Sequence, residues 1–305
     1  MHPPQADIIH NRAVDRRVVF VLSSERSGST LLRVLLGNHS RLIAPSELWL
    51  LHFESFDEWR ANYPLAIDSL VELLEMVGSP TCKGQIEKQC AGWSTADVMR
   101  WVLQQVPQSA YLVDKTPAYA NSRQSLERTA PFAHAYAWLI RHPLGVIDSH
   151  SRYMARRRRM EMGMAGRIWA ALRTLLPHRR DTAEHSGVAD RETRWREQNE
   201  RIRSFLHDYA DLPCARILFE ELVQSPQESL NRLCQVVGVE FETEMYKPIV
   251  NRPVQDGLGD PTFGKYAAIE PRVAYAWRKR YSENLLDSAT KRLLHEVVND
   301  NLGCS

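Results

Sequence analysis

Residues Val18 to Leu22 form an unbroken apolar run, and the chain passes from it straight into the segment SSERSGSTLL, Ser23 to Leu32. A buried strand that empties through a Ser/Gly loop into a helix is a place to hold an anion. Backbone N–H groups at the helix start point at it, and the hydroxyls of Ser27, Ser29 and Thr30 add donors. Arg26 contributes a planar fork suited to phosphate or sulfate oxygens. The loop is not the nucleoside-triphosphate signature. No Gly precedes Gly28 at that spacing, and Arg26 stands before the Gly where that motif needs Lys after it. Nor is it the dinucleotide GxGxxG pattern. A Ser/Gly turn with a helix cap is the plainer reading of the same residues.

The rest of the chain repeats the unit. Short apolar segments at Arg41–Ala44, Tyr111–Asp114, Ala135–Ile140 and Ala215–Phe219 alternate with helical patterns at Ser29–Gly37, Leu65–Val77, Ala96–Gln105, from Pro143 onward, Trp195–Tyr209 and Pro226–Val237, the last stopped by Gly238. This alternation predicts an α/β fold with a mostly parallel central sheet flanked by helices. Ligands then belong at the carboxyl ends of the strands, where the Ser23 loop lies. The length, 305 residues, fits one large α/β domain or two modest ones, and a single domain over residues 1–305 is expected. Two stretches, 155–194 and 251–268, break the rhythm and are expected to cover a pocket. The first holds the run Arg156 to Arg159, whose plain reading is a solvated helix face.

Composition narrows the function classes. Thirty-nine Lys and Arg against 37 Asp and Glu argue against a nucleic-acid partner, while allowing a local basic pocket. The five Cys have no CxxC spacing and read as reduced structural thiols, not metal ligands. His134, His142 and His150 show no metal-ligating pattern, so no metal is expected. The N-terminal residues carry no apolar stretch of signal-peptide kind, and no apolar run reaches the ~18 residues a membrane span needs. The expectation is a cytoplasmic protein without membrane insertion.

A second anion clue is Arg141-His142-Pro143, directly after the strand AYAWLI, with Ser149 two helical turns further on. A strand-end Arg and a helix-face hydroxyl can clamp one phosphate from two sides. A surface ion pair and a self-bonded helix Ser explain them too. Two phosphate sites on one sheet edge suggest a nucleotide phosphorylated at both ends.

The ordered set SSERSGSTLL, VDKTPAYA and LIRHPLGVIDSHSR resembles the sulfotransferases that use 3′-phosphoadenosine 5′-phosphosulfate (PAPS). It is most like the bacterial branch that includes polyketide-associated members. PSELWLL, WREQNERIRSFL, RILFEELVQSP and GLGDPTF extend the likeness from about Val18 to the Trp277 region. The resemblance implies a P-loop-like sulfotransferase fold. It implies that Arg26, Ser27, Gly28, Ser29, Thr30 and Leu31 bind the 5′-phosphosulfate and that Arg141 and Ser149 bind the 3′-phosphate. The product would be adenosine 3′,5′-bisphosphate (PAP). Many cytosolic members carry Lys at the position of Arg26, and use a His two residues after the Lys of a KTH motif as base. Here Pro117 follows Lys115-Thr116 and cannot take a proton. Glu47, in PSELWLL, becomes the candidate general base, since an acidic residue after the first helix takes this role in the polyketide and protein-tyrosine branches. A helix-start Glu following Ser46 is the alternative.

Lys115 can approach the sulfuryl oxygens, orient Glu47, or form a structural strand-end ion pair. Polyketide-type members tend to show Glu-x-His, where this chain has Glu47-Leu48-Trp49. Trp49, His52, Phe263 and Tyr266 are the candidate acceptor contacts. Trp195 and Asn199 share one helix face and read as packing. The expected reaction is in-line sulfuryl transfer to a small-molecule alcohol or phenol, or to a hydroxyacyl chain on an acyl carrier protein, which the Arg156–Arg159 run would dock. The alternatives are a P-loop-like small-molecule kinase and a catalytically inactive nucleotide-binding partner protein.

Overall fold

The structure, a computed structural model, describes residues 16–161, 182–246 and 269–299. The elements follow in chain order: β1 (Val18–Ser23), α1 (Ser29–Leu36), β2 (Leu42–Ile43), α2 (Phe56–Asn62), α3 (Ala66–Met76), α4 (Lys83–Cys90), α5 (Thr95–Gln105), β3 (Tyr111–Asp114), α6 (Arg123–Thr129), β4 (Ala133–Ile140), α7 (Pro143–Glu161), α8 (Thr182–Asp208), β5 (Cys214–Leu218), α9 (Phe219–Gln224), α10 (Pro226–Val237) and α11 (Ser288–Asn299). Single-turn helices lie between some of them, among them Leu50–His52 after β2 and Pro117–Asn121 after β3.

The five strands form one sheet in the order β2-β3-β1-β4-β5. Every pairing in it is parallel, with β1 central between β3 and β4. Side chains alternate across a strand. Val18, Phe20 and Leu22 therefore join a core under α3, α5 and α8. Val19 and Val21 join a second core with α1, α9 and α10 on the opposite face. The chain leaves β1 for β2 through α1 on that second face, whereas α2 to α6 and α8 contribute to the first core. The path thus reverses direction at β1, and the crevice at such a reversal lies beyond the carboxyl end of the strand.

All five expected strands are present, and β5 ends one residue early because Phe219 begins α9. Gly238 ends α10 in the left-handed conformation, φ 76°. Five helices escape the periodicity reading: α2, α4, α6, α9 and α11. Of these, α2 and α6 carry a legible start signal, since Ser55 and Ser122 accept from the N–H of Glu58 and Ser125. Helix α8 begins at Thr182, well before the expected Trp195. Residues 182–194 are polar and lack a clear apolar stripe. Tertiary contacts hold this turn-rich sequence in a helix: Arg191 donates to Ser151 Oγ (2.9 Å), and Glu192 accepts from the Asp287 N–H (2.7 Å). The described ends of the 155–194 stretch are therefore helical. The stretch 251–268, with Phe263 and Tyr266, lies outside the described residues. Cys214 is disulfide-bonded, which corrects the expectation of five reduced thiols; Cys82, Cys90 and Cys234 are free. Among the described residues, no helix is long and apolar enough to cross a membrane.

Candidate active site

The polar residues singled out above gather at one sheet edge because each follows a parallel strand. Ser24 to Ser29 follow β1, Glu47 follows β2, Lys115 follows β3, and Arg141 follows β4. In the β1 loop, Ser24 and Ser27 are buried and join their hydroxyls at 2.7 Å. Arg26 and Gly28 both adopt positive φ, 63° and 93°. Gly28 caps α1 without a side-chain bond, which leaves the first N–H groups of the helix to whatever lies before them. A Cβ on Gly28 would lie 2.4 Å from the Phe219 ring, so the loop descends onto α9 at the one position where no side chain fits.

Arg141 completes this corner. The residue is 6% exposed; its guanidinium lies 4.1 Å from the centre of the Phe219 ring and donates from Nη1 to the Arg26 carbonyl at 3.1 Å. Its Nε has no hydrogen-bond partner. Burial lowers its pKa to about 10, against the pull of Glu220, so the group stays charged at neutral pH. Arg26 lies over the ring of Tyr153, 4.9 Å from its centre. Ser149 is half-buried on α7.

Two further guanidiniums, Arg191 and Arg194, approach from α8. Burial and the charges of Arg191, Arg26 and Arg194 together lower His150 to about 4, so this imidazole is neutral at pH 7. Sequence reasoning missed both arginines. Their three-residue spacing puts them on one helix face, but nothing along the chain says that the face meets α7. Trp195 and Asn199 are packing residues: the indole donates to the Arg141 carbonyl (3.0 Å), and Asn199 accepts from Trp138 (3.4 Å) and donates to the Trp195 carbonyl (2.8 Å).

Glu47 does not cap a helix. The turn Leu50–His52 that follows it has Trp49 at its cap position and no side-chain cap bond. One Glu47 oxygen accepts from the Lys115 ammonium in a close ion pair, and the other accepts from the Trp49 indole N–H at 2.9 Å. The Glu47 side chain is 12% exposed, whereas Lys115 is sealed at 1%. Burial pulls the Lys115 ammonium below its ordinary pKa, and Glu47 opposes that pull. Trp49 stacks on Tyr63 at 4.1 Å with the rings 14° from parallel. The Tyr63 phenol is raised by burial, then by the charges of Glu47 and Glu25 and by Tyr153. Tyr63 thus backs the Trp49 indole that holds Glu47, a contact no spacing in the sequence signals. His52 meets the Trp49 ring edge-on at 5.8 Å, its Nδ1 lies 3.1 Å from Ser125 Oγ, and burial and Arg128 lower its pKa.

Residues 18–243 match the Sulfotransferase family. Two solved structures are similar over nearly the whole chain. The sulfotransferase domain from the Synechococcus PCC 7002 olefin synthase is 26% identical with a TM-score of 0.73, covering 94% of this chain and 96% of its own. The sulfotransferase domain from the curacin biosynthetic pathway is 28% identical with a TM-score of 0.74, covering 93% of this chain and 98% of its own. No match was found among curated proteins.

Proposed function

The chain belongs to the sulfotransferase family, and on that premise we propose that it moves a sulfuryl group from PAPS to a hydroxyl on a small-molecule or carrier-bound acceptor, with Glu47 as general base. The match makes the protein a sulfotransferase enzyme, so the kinase and non-enzyme alternatives fall away.

The residues present fit such a donor. A guanidinium nearly sealed from solvent, with its Nε unpartnered, is costly unless an anion completes it. Arg141, with Ser149, would take that role at the 3′-phosphate. Arg26, Ser27, Gly28, Ser29, Thr30 and Leu31 would hold the phosphosulfate through helix-start N–H groups, hydroxyls and a charged fork.

The donor supplies an activated sulfuryl group whose transfer breaks the bridging S–O bond, forms a new one to the acceptor oxygen and releases PAP. Glu47 takes the acceptor's proton. Arg26 and the N–H groups of α1 oppose the negative charge that develops on the leaving oxygen. Lys115, held in the ion pair with Glu47, keeps that carboxylate aimed and keeps positive charge beside the reacting centre. The single observation that carries this reading is the placement of Glu47. Its carboxylate is fixed by Lys115 and Trp49, and Tyr63 stacks on that Trp49 ring.

Trp49 and Tyr63 offer a flat aromatic wall to an apolar acceptor. The similar domains come from an olefin synthase and a curacin biosynthetic pathway. That favours an acceptor hydroxyl on a biosynthetic intermediate, free or carrier-bound. Calorimetric titration with PAP, against ATP and NAD, tests the donor site. Selective micromolar binding is expected, and its absence in folded protein would overturn both phosphate assignments. A screen with labelled PAPS against phenols, aliphatic alcohols and hydroxyacyl carrier proteins then identifies the acceptor.

A further inference from the structure

Asp114 ends β3 and is 1% exposed. Its Oδ1 accepts from the Thr116 hydroxyl at 2.9 Å and its Oδ2 from the Tyr119 hydroxyl at 2.7 Å. A hydroxyl has one proton, so each of these two, having donated it to the carboxylate, turns only lone pairs toward its other neighbours. Those neighbours are backbone donors of the segment after Glu47. Thr116 Oγ1 accepts from the Trp49 N–H at 3.2 Å, and the Tyr119 hydroxyl oxygen accepts from the Leu51 N–H at 3.4 Å. Both N–H groups belong to the start of the turn Leu50–His52, where a helix leaves its donors without internal partners. Trp49 itself is held at φ 57°, a conformation uncommon for a bulky residue, and its indole N–H is the one bonded to Glu47.

We propose that Asp114 is a positioning residue for Glu47: its carboxylate sets the direction of the Thr116 and Tyr119 hydroxyls, these anchor the Trp49–Leu51 backbone, and the anchored Trp49 indole aims the Glu47 carboxylate. The proposal rests on the reading of Glu47 as the base. Asn at position 114 keeps the shape but not the polarity. Its amide donates on one side, so one hydroxyl must reverse and point its proton at a backbone N–H. Val at 116 removes one acceptor outright, while Ser restores it.

Two measurements on the full chain test this. The first, hydrogen exchange read by mass spectrometry, needs no acceptor. In Asp114→Asn and Thr116→Val, residues 46–53 should exchange at least about tenfold faster, with β1 and β4 unchanged and Thr116→Ser close to native. The second is turnover of labelled PAPS with the acceptor found by the screen. Thr116→Val should lose at least about tenfold in kcat, with the donor KM and PAP affinity within about twofold, and Thr116→Ser should recover most of it. Unchanged exchange at 46–53 in folded Asp114→Asn overturns the proposal, as does a native kcat in folded Thr116→Val or an equal loss in Thr116→Ser. Should the core variants fail to fold, Trp49→Phe at the half-buried end of the chain decides: native kcat there is equally fatal. Glu47→Gln separates the two readings. If it is inactive while Thr116→Val is native, positioning fails and the base stands; if it turns over normally, the base reading itself fails.

Discussion

Glu47 has each oxygen committed to one donor, Lys115 or Trp49, so an amide at this position keeps the shape while losing the proton acceptor. Glu47→Gln is expected to lower kcat by about 10²- to 10⁴-fold, the usual worth of a positioned base. PAP affinity measured by calorimetry should stay within about twofold, because Glu47 lies after β2 and the proposed phosphosulfate loop after β1. Asp114 allows a second prediction. Burial raises its pKa from 3.8 to about 6, outweighing the Thr116 and Tyr119 hydrogen bonds, with Glu47 also raising it and Lys115 opposing. Between those two pH values the folded chain binds a proton that the unfolded chain does not. The group's contribution therefore weakens as pH rises through the window and is at its least favourable above about pH 6. Thermal or urea unfolding of the native chain and Asp114→Asn, compared at pH 4.5 and pH 7, should show native stability gaining on the variant toward the lower pH. A gap independent of pH would contradict this. A residue that loses stability at working pH yet holds the turn after Glu47 is what a site arranged for function, not for stability, would retain.

At the scale of elements, the junction of β1 and α1 depends on contact with α9. Gly28 has positive φ and no room for a Cβ, since the Phe219 ring occupies that space and carries Arg141 on its face. Gly28→Ala is expected to destabilise the fold by about 1–3 kcal/mol, through backbone strain and displacement of the ring. It should also weaken PAP binding at least about tenfold, because the ring cannot move without Arg141. Urea unfolding and calorimetry on the same sample separate the two effects. Much of this element order could be read along the chain: the five strands, the loop after β1 and the stop at Gly238 follow from apolar runs and from Gly and Pro placement. The helical extension of α8 back to Thr182 could not. Its polar residues have no period to read, and the bonds from Arg191 to Ser151 and from Glu192 to Asp287 come from elements remote in sequence.

For the whole molecule, the near balance of acidic and basic residues hides a concentration of positive charge. Arg26, Arg141, Arg191 and Arg194 come from three places in the chain, and α7 continues outward to Arg156, Arg157 and Arg158. If the acceptor arrives on an acidic carrier protein, changing these last three to Gln should raise its KM at least about tenfold and flatten the salt dependence of turnover. A free alcohol acceptor should be nearly indifferent to the change. Steady-state kinetics at about 50 and 300 mM salt distinguish the two.

The chain by itself determined the parallel α/β architecture, the Ser/Gly loop after β1 and the Arg141 that closes β4, while the candidacy of Glu47 came from the family resemblance of the residues after β2. Each of these is local, written as a strand and the few residues that follow it. Only the tertiary structure decided what those residues do to one another. That Lys115 takes one Glu47 oxygen and Trp49 the other, that Tyr63 stacks on Trp49, that Asp114 reaches the turn through two hydroxyls and that α8 brings two arginines to α7 all join residues on different elements. Periodicity and spacing specify which side chains share one strand or helix face. They do not specify which faces meet, because that is set by sheet order and by packing across it.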